Sequence, residues 1–229
     1  MLVTKILIIN ILLLLLLHPG SAYGCDLDLS NGVGPWDYYD PINSVPSGAN
    51  PMGNIKRVTN VHLTPGMLKL EKRASGTFSG DIDYTLRAIP NHPAGLDLAS
   101  RLEKRLSHAS AEHIPLFKYE KPARSAECYF QRAIALAPNR SYTYVVYGIH
   151  LHRFGKYQEA STAYTRALAL GSDTIETNYN YGLSLVKSGR FAEAEQQAKI
   201  AYQGGFPLPG LRNLLQQQGY CKSECSKAQ

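Results

Sequence analysis

The stretch that decides the fold is YGIHLHRFGKYQEASTAYTRALAL, residues 147–170, because its pattern returns 34 positions later as YGLSLVKSGRFAEAEQQAKIAYQ, residues 181–203. The small and bulky residues that would pack between helices keep their type in both copies. The matching pairs are Tyr147 and Tyr181, Gly148 and Gly182, Leu151 and Leu185, Gly155 and Gly189, Ala160 and Ala194, and Ala167 and Ala201. Self-similarity at one fixed period is typical of repeat architectures. The sequence therefore predicts stacked copies of one unit.

A weaker copy lies one period upstream of the first. It keeps an alternation of small and aromatic residues in Ala126, Phe130 and Ala133, which match Ala160, Tyr164 and Ala167. This period and this residue set resemble the tetratricopeptide repeat, a helix-turn-helix unit. The resemblance implies complete repeats at residues 141–174 and 175–207. It also implies that the tyrosines are packing groups rather than catalytic ones.

The flanking stretches extend the array. PAGLDLASRLEKRL, residues 93–106, has leucines at helical spacing and predicts the first helix of a degenerate repeat whose second helix carries Cys128. Residues 107–125 between these two helices are longer than an ordinary turn and form an insertion. PLPGLRNLLQQQGY, residues 207–220, predicts one further helix that caps the exposed end of the array.

Two histidines in the opening stretch raise the question of a metal site. His150 and His152 are two residues apart, so on an α-helix their side chains point about 200° apart. One ion cannot be held by both. We expect His152 on the inner face of the array and His150 near its outer surface.

The chain begins with an export signal. One lysine precedes an apolar run from Ile6 to Leu17, and small Ala22 and Gly24 sit where a signal peptidase would cleave. We predict a cleaved signal peptide at residues 1–24 and a periplasmic protein. A retained membrane anchor, secretion from the cell and lipid attachment at Cys25 are alternatives, the last because Gly24-Cys25 resembles the lipoprotein box of bacteria.

The formal charge is +6 and falls to +5 without Lys5 of the leader. The basic residues are spread along the chain without a dense patch, so we do not expect a nucleic-acid partner.

The four cysteines form an even set, which in an oxidising compartment predicts two disulfides. Three pairings are possible. Cys221 and Cys225 are close in the chain and pair most easily, which leaves Cys25 to join Cys128. A redox role for the first of these pairs is not favoured, because no thioredoxin-like pattern surrounds it.

The domain boundaries follow from these assignments. After the leader, residues 25–91 are predicted to be an irregular segment with one short helix that begins after Thr64. Residues 92–219 form the all-α solenoid of about three repeats, and residues 220–229 form a tail. Within the irregular segment, GPWDYYDP carries Trp36, Tyr38 and Tyr39. Large aromatic residues are unusual in a disordered segment, so we predict that these three dock on the repeat array.

A metal site is the rival interpretation of the amino-terminal segment. If GDIDYTLRAIPNHPAGL is extended, Asp81 and Asp83 share one face, and His62 and His92 could join them. These four residues would then serve an exported metal-dependent ligand-binding protein or enzyme.

The resemblance also implies a binding groove, because the first helix of each tetratricopeptide repeat lines the concave face. The implied inner residues are Tyr142, Val145, Ile149, His152, Arg153, Tyr179, Asn180, Leu183, Val186 and Lys187. The family's carboxylate clamp uses lysines at two places that Val145 and Tyr179 occupy here, so this chain is not expected to bind chaperone tails in that way. The groove is instead apolar with a basic rim from Arg153 and Lys187.

The predicted function is that of an exported, non-enzymatic protein-protein interaction module. The sequence contains no nucleophile motif, phosphate loop, zinc signature or redox motif, and we expect no cofactor. The groove would bind a peptide segment, either the chain's own GPWDYYDP or a partner's, within an envelope assembly or secretion system. GPWDYYDP, NVHLTP and AECYFQRAIALAP also resemble segments of exported proteobacterial tetratricopeptide proteins, a likeness that implies the fold but no activity.

Overall fold

The computed structural model describes residues 25–48, 50–108, 110, 113–221 and 225. Over these residues the protein is all-helical, as predicted, and contains no β-strand beyond an isolated bridge between Ser47 and Asn50. The predicted signal peptide at residues 1–24 lies outside the described residues, as does most of the predicted tail.

The helices follow one another through the described chain with short connections, apart from one insertion. After a short 3-10 helix at Pro41–Ser44, they are α1 (Asn54–His62), α2 (Pro65–Leu68), α3 (Phe78–Ala88), α4 (Pro93–Leu106), α5 (Ala126–Leu136), α6 (Ser141–Arg153), α7 (Tyr157–Ala169), α8 (Ile175–Lys187), α9 (Phe191–Gln203) and α10 (Gly210–Gln217).

The duplicated stretch forms two helical hairpins, α6 with α7 and α8 with α9. Both hairpins turn in the same way. Gly155 and Gly189 have φ of 78° and 74°, a left-handed conformation that favours glycine. The N–H of the next residue then donates to a carbonyl five positions back, Lys156 to Leu151 and Arg190 to Leu185, both at 2.9 Å. This closure of the helix end is the Schellman motif.

Close approach within the first hairpin depends on Gly148. A Cβ atom at this position would lie 2.7 Å from the ring of Tyr164, which is buried on the facing helix α7. Ala160 and Ala167 on the same helix are fully buried. The glycine therefore makes room for the tyrosine, and the smaller residues beside it let the two helices nest.

The first helices of successive hairpins lie side by side. Helix α4 packs on α6, and α6 packs on α8. Arg153 of α6 contacts Asp97 of α4 at 2.7 Å, and the His152 ring is 2.9 Å from the Ser184 hydroxyl of α8. These three helices therefore form one continuous layer, with α5, α7 and α9 each following its partner helix in the chain.

The position expected for His150 is wrong. It is 2% exposed, its Nδ1 lies 2.9 Å from the Ser100 hydroxyl of α4, and its ring packs against Phe130. Helices α4 and α5 pack over the surface that was expected to be exposed. The helical period of α6 alone cannot predict these contacts, because they come from distant parts of the chain.

The amino-terminal segment also needs correction, because residues 25–91 contain three α-helices instead of one. Phe78, Ile82 and Leu86 lie at four-residue spacing on one face of α3 and are buried against the core. The alternation Asp81-Ile82-Asp83 is typical of an extended chain. The four-residue spacing of the apolar residues runs through a longer stretch and determines the structure, which is a helix.

The cysteine pairing is as predicted. Cys25 is joined to Cys128 and Cys221 to Cys225, which is compatible with an oxidising, exported location. Next to the first bridge, buried Arg132 donates to the carbonyls of Asp26 and Asp28 at 2.6 and 2.7 Å. The chain from residue 25 to residue 40, which we call the N-terminal strap, is thus fastened to α5. Among the described residues, no helix is long and apolar enough to cross a membrane.

Removal of the first disulfide should destabilise the protein more than removal of the second. The residues that they join are 103 and 4 positions apart, and the chain-entropy model gives about 4.7 and about 2 kcal/mol for loops of these sizes. Denaturant unfolding of the Cys25→Ser/Cys128→Ser and Cys221→Ser/Cys225→Ser variants measures the difference. An equal loss, or a larger loss for the tail pair, would show that the first disulfide does not hold the strap in the way described.

Candidate functional site

The inner layer of α4, α6 and α8 does not expose every residue expected to line a groove. Val145 is 2% exposed and Tyr179 is 7% exposed, and both belong to the core. The Tyr179 ring stacks on Phe206 at a centroid distance of 4.0 Å, which explains its burial. These two residues are therefore parts of the core and cannot contact a ligand without rearrangement.

The other predicted inner residues keep some exposure. Tyr142 is 45% exposed, while Ile149, Leu183 and Val186 are half-buried at the edge of the core. Tyr142 and Ile149 are seven residues apart, which places them on one face of α6. Tyr142, Ile149, Leu183 and Val186 are called the apolar stripe below.

His152 has a structural partner. Its Nδ1 contacts the Ser184 hydroxyl, and its ring meets the edge of Tyr157 at 5.1 Å. Burial lowers the pKa of His152, and the nearby charges of Lys187 and Arg153 lower it further. This histidine is therefore neutral at physiological pH and joins α6 to α8.

The predicted basic rim is only partly available. Arg153 is paired with Asp97, and Arg101 pairs with the same carboxylate at 2.7 Å. Lys187 is exposed at the end of α8, and Asn180 is half-buried in the middle of that helix. Of the two predicted rim cations, Arg153 is thus already paired within the layer.

A second group of cations was missed by the sequence analysis. Lys69, Arg101, Lys104, Arg105, His108 and Phe117 line an open cleft of about 470 Å³, which we call the basic cleft. It lies between the end of α2, the last two turns of α4 and the insertion. The run RLEKRL at residues 101–106 indicates a cluster of basic residues. The cleft itself could not be predicted from this run, because its other wall comes from distant parts of the chain.

Two of the three aromatic residues of GPWDYYDP, Trp36 and Tyr38, dock away from the apolar stripe. The Trp36 N–H donates to the Ala88 carbonyl at 2.8 Å, and Tyr38 packs on His92 with ring centroids 4.6 Å apart. Trp36 and Tyr38 belong to a separate cluster formed by α1 and the end of α3. The predicted filling of the groove by the chain's own amino terminus is therefore not the arrangement found.

The strap nevertheless meets the repeat layer at one point. Arg140, the residue before α6, contacts the Asp37 carboxylate at 2.6 Å, and the Asn91 amide donates to the same carboxylate at 2.7 Å. Burial raises the pKa of the Tyr39 hydroxyl, and Tyr142 of the layer is close enough to add to this rise. The strap thus ends next to Tyr142, at one end of the stripe.

The four residues of the alternative metal site do not converge. Asp81 and Asp83 lie on a helix, so their side chains point in different directions. Asp81 is buried and contacts His62 Nδ1 at 2.8 Å, and it also accepts from the Ser75 hydroxyl and N–H. The pair of His62 and Asp81 therefore ties α1 to α3.

Asp83 and His92 have other partners. Asp83 is paired with Arg87 and Arg124 at 2.8 and 2.7 Å and accepts a hydrogen bond from Tyr129. His92 is the N-cap of α4 and accepts from the Gly95 N–H at 3.2 Å. Each of these groups is thus used in tertiary structure.

Across the described residues, one group of potential metal ligands is clustered, Glu195 with Cys221 and Cys225. Both sulfurs are in a disulfide, and the Glu195 carboxylate accepts from the Cys221 N–H at 2.6 Å. This group therefore lacks the thiolates that a metal would need.

Comparison of the chain with known protein families, curated proteins and solved structures gives no match in any of the three. The function is therefore inferred from the chain's own side chains.

Stability should fall as the pH drops from about 6.5 to about 4. Burial holds the pKa of His92 at about 4, against an ordinary 6.5, and its Nδ1 can accept from Gly95 only while unprotonated. Between pH 4 and pH 6.5, His92 binds a proton in the unfolded chain but not in the folded one. Lowering the pH through this range therefore reduces the free energy of unfolding by up to about 3 kcal/mol.

The matched variant is His92→Asn, which keeps an oxygen acceptor at the N-cap but does not titrate. Its unfolding free energy, measured by denaturant titration at several pH values, should depend less on pH across this range. The same dependence in parent and variant would mean that His92 is not the responsible group.

Proposed function

We propose that the protein is an exported, non-enzymatic interaction module of tetratricopeptide type that binds a peptide of a partner protein on the layer formed by α4, α6 and α8. The single observation that carries this proposal is the apolar stripe. Three partly buried aliphatic side chains and one exposed tyrosine lie on neighbouring helices, and each keeps part of its surface open to solvent.

The repeat assignment is supported by hydrogen bonding as well as by sequence. In both turns the glycine N–H donates to the carbonyl three residues back, and the next N–H donates to the carbonyl five residues back. The helices on either side have equal lengths of 13 residues. Stacked hairpins of this kind present one face of their first helices as an extended surface. The two disulfides support an oxidising compartment, and a role in an envelope assembly or secretion system follows as part of the proposal.

The chemistry of the stripe favours a peptide over a small molecule. Its members are aliphatic and aromatic and are spread over two helices, and Asn180 and Lys187 beside them supply polar contacts. Apolar anchors with a polar margin are typical of surfaces that bind extended or helical segments.

The test uses a displayed library of random 12-residue peptides as the probe and the disulfide-bonded protein from residue 25 as the bait. Peptides selected on the parent should bind about tenfold more weakly to an Ile149→Ser/Leu183→Ser variant, because two apolar anchors lose their contacts. The matched control is Ile200→Ser, since Ile200 is 46% exposed on α9, outside the layer. Fluorescence polarisation of the labelled peptides gives the affinities.

Two results would count against the proposed function. One is that no peptide is enriched on the parent protein. The other is that the enriched peptides bind the stripe variant as well as they bind the parent, or lose the same affinity on the control. Circular dichroism of each variant shows whether the helices remain intact.

A further inference from the structure

The basic cleft carries more charge than its internal pairing uses. Its permanent cations are Lys69, Arg101, Lys104 and Arg105, and Glu71 is the acidic residue in its wall. Of the four cations, Arg101 has a carboxylate partner, Asp97; the other three have none among the described residues. Exposed His108 also lines the cleft.

Two of the unpaired cations are held in place by aromatic rings. Lys104 Nζ lies 5.3 Å from the centre of the Phe154 ring, and the Arg105 guanidinium lies 5.3 Å from that of buried Phe117. The end of a helix also stabilises nearby cations, which accounts for part of this arrangement in α4. Lys69, the C-cap of α2, lines the opposite wall of the cleft.

The cleft is continuous with the layer that carries the apolar stripe. Phe154, under Lys104, directly follows α6, and Asp97 is shared by Arg101 of the cleft and Arg153 of α6. A segment lying along the layer can thus reach both surfaces. The cations lie at the C-terminal ends of the helices, so the charge is concentrated at one end of the layer.

We propose that the basic cleft binds an acidic stretch of a partner protein, adjacent to the apolar residues that the stripe receives. This inference rests on the proposed function and specifies the chemistry of its ligand. Carboxylates would replace water around Lys69, Lys104 and Arg105 without requiring any existing ion pair to break.

The number of cations in the cleft favours this ligand over nucleic acid. Strong binding to nucleic acid requires many phosphate contacts, and a site with four permanent cations, one of them paired, is too small to supply them. A short run of Asp or Glu matches the number of free cations.

The experiment uses two labelled 12-residue peptides, one with four glutamates followed by leucine and phenylalanine anchors, and the other with glutamine at the four acidic positions. The disulfide-bonded protein from residue 25 should bind the acidic peptide about tenfold more tightly. The difference should shrink as salt rises from about 50 to about 300 mM, because exposed charges are screened.

Three variants assign this preference to the cleft. Lys104→Glu/Arg105→Glu should abolish the preference for glutamate, whereas Lys118→Glu/Lys121→Glu, a matched double reversal at exposed lysines of the insertion, should keep it. Glu71→Gln removes the acidic residue of the wall and should strengthen binding of the acidic peptide. This gain cannot come from loss of folding, so it keeps the test decisive if the double reversal is unstable.

Several outcomes would overturn the inference. These are equal binding of the two peptides by the parent, equal loss in the two double reversals, or binding to phosphatidylglycerol vesicles or to a single-stranded DNA oligomer that depends on Lys104 and Arg105 while the acidic peptide does not bind. If both peptides bind equally and Ile149→Ser/Leu183→Ser weakens both, the inference fails and the proposed function stands. If an all-glutamate peptide binds the cleft and the stripe variant changes nothing, the inference about the cleft stands and the proposed function of the stripe fails.

Discussion

The fit of the Tyr164 ring against Gly148 is the constraint on which the rest of the structure depends. The ring is fully buried, and the absence of a side chain on α6 lets α7 approach closely enough to cover it. Once this distance is set, Ala160 and Ala167 fill the space beside it, and α8 can pack on the completed hairpin. The second hairpin uses Gly182 differently, because there the nearest atoms belong to Leu211 of α10. Leu211 of α10 therefore fills the space over Gly182 that Tyr164 of α7 fills over Gly148.

The amino-terminal half acts as a brace for this array. The strap is held at its start by the disulfide to Cys128 and by Arg132, and at its end by Asp37 between Asn91 and Arg140. These contacts join α3, α4, α5 and the start of α6. The layer is thus stiffened on the side where its repeat pattern is weakest. A rigid layer loses less conformational entropy on binding a ligand, which suits a surface with few anchors.

The hairpins and the disulfides could be predicted because their determinants are local or combinatorial. A fixed period marks α6 to α9, and four cysteines leave few pairings. The residues whose positions were wrongly predicted are placed by contacts between distant segments of the chain. Asp81 and Asp83 alternate like a strand, yet Phe78, Ile82 and Leu86 bury a helical face against α4. His150 and Tyr179 were misplaced because α4 and Phe206 cover them. The basic cleft was missed because Lys69 and Glu71 of one wall are about thirty residues from Arg101 of the other.

The most direct measurement of the central packing claim is the effect of Gly148→Ala on the free energy of unfolding, in the parent and in a Tyr164→Leu background. Helix propensity alone would make alanine better than glycine by about 1 kcal/mol. We predict that the substitution destabilises the parent by about 1–3 kcal/mol, because the added methyl displaces a buried ring, and becomes neutral or stabilising beside the smaller leucine. Stabilisation by the same amount in both backgrounds would contradict the claim that these two residues set the spacing of the hairpin.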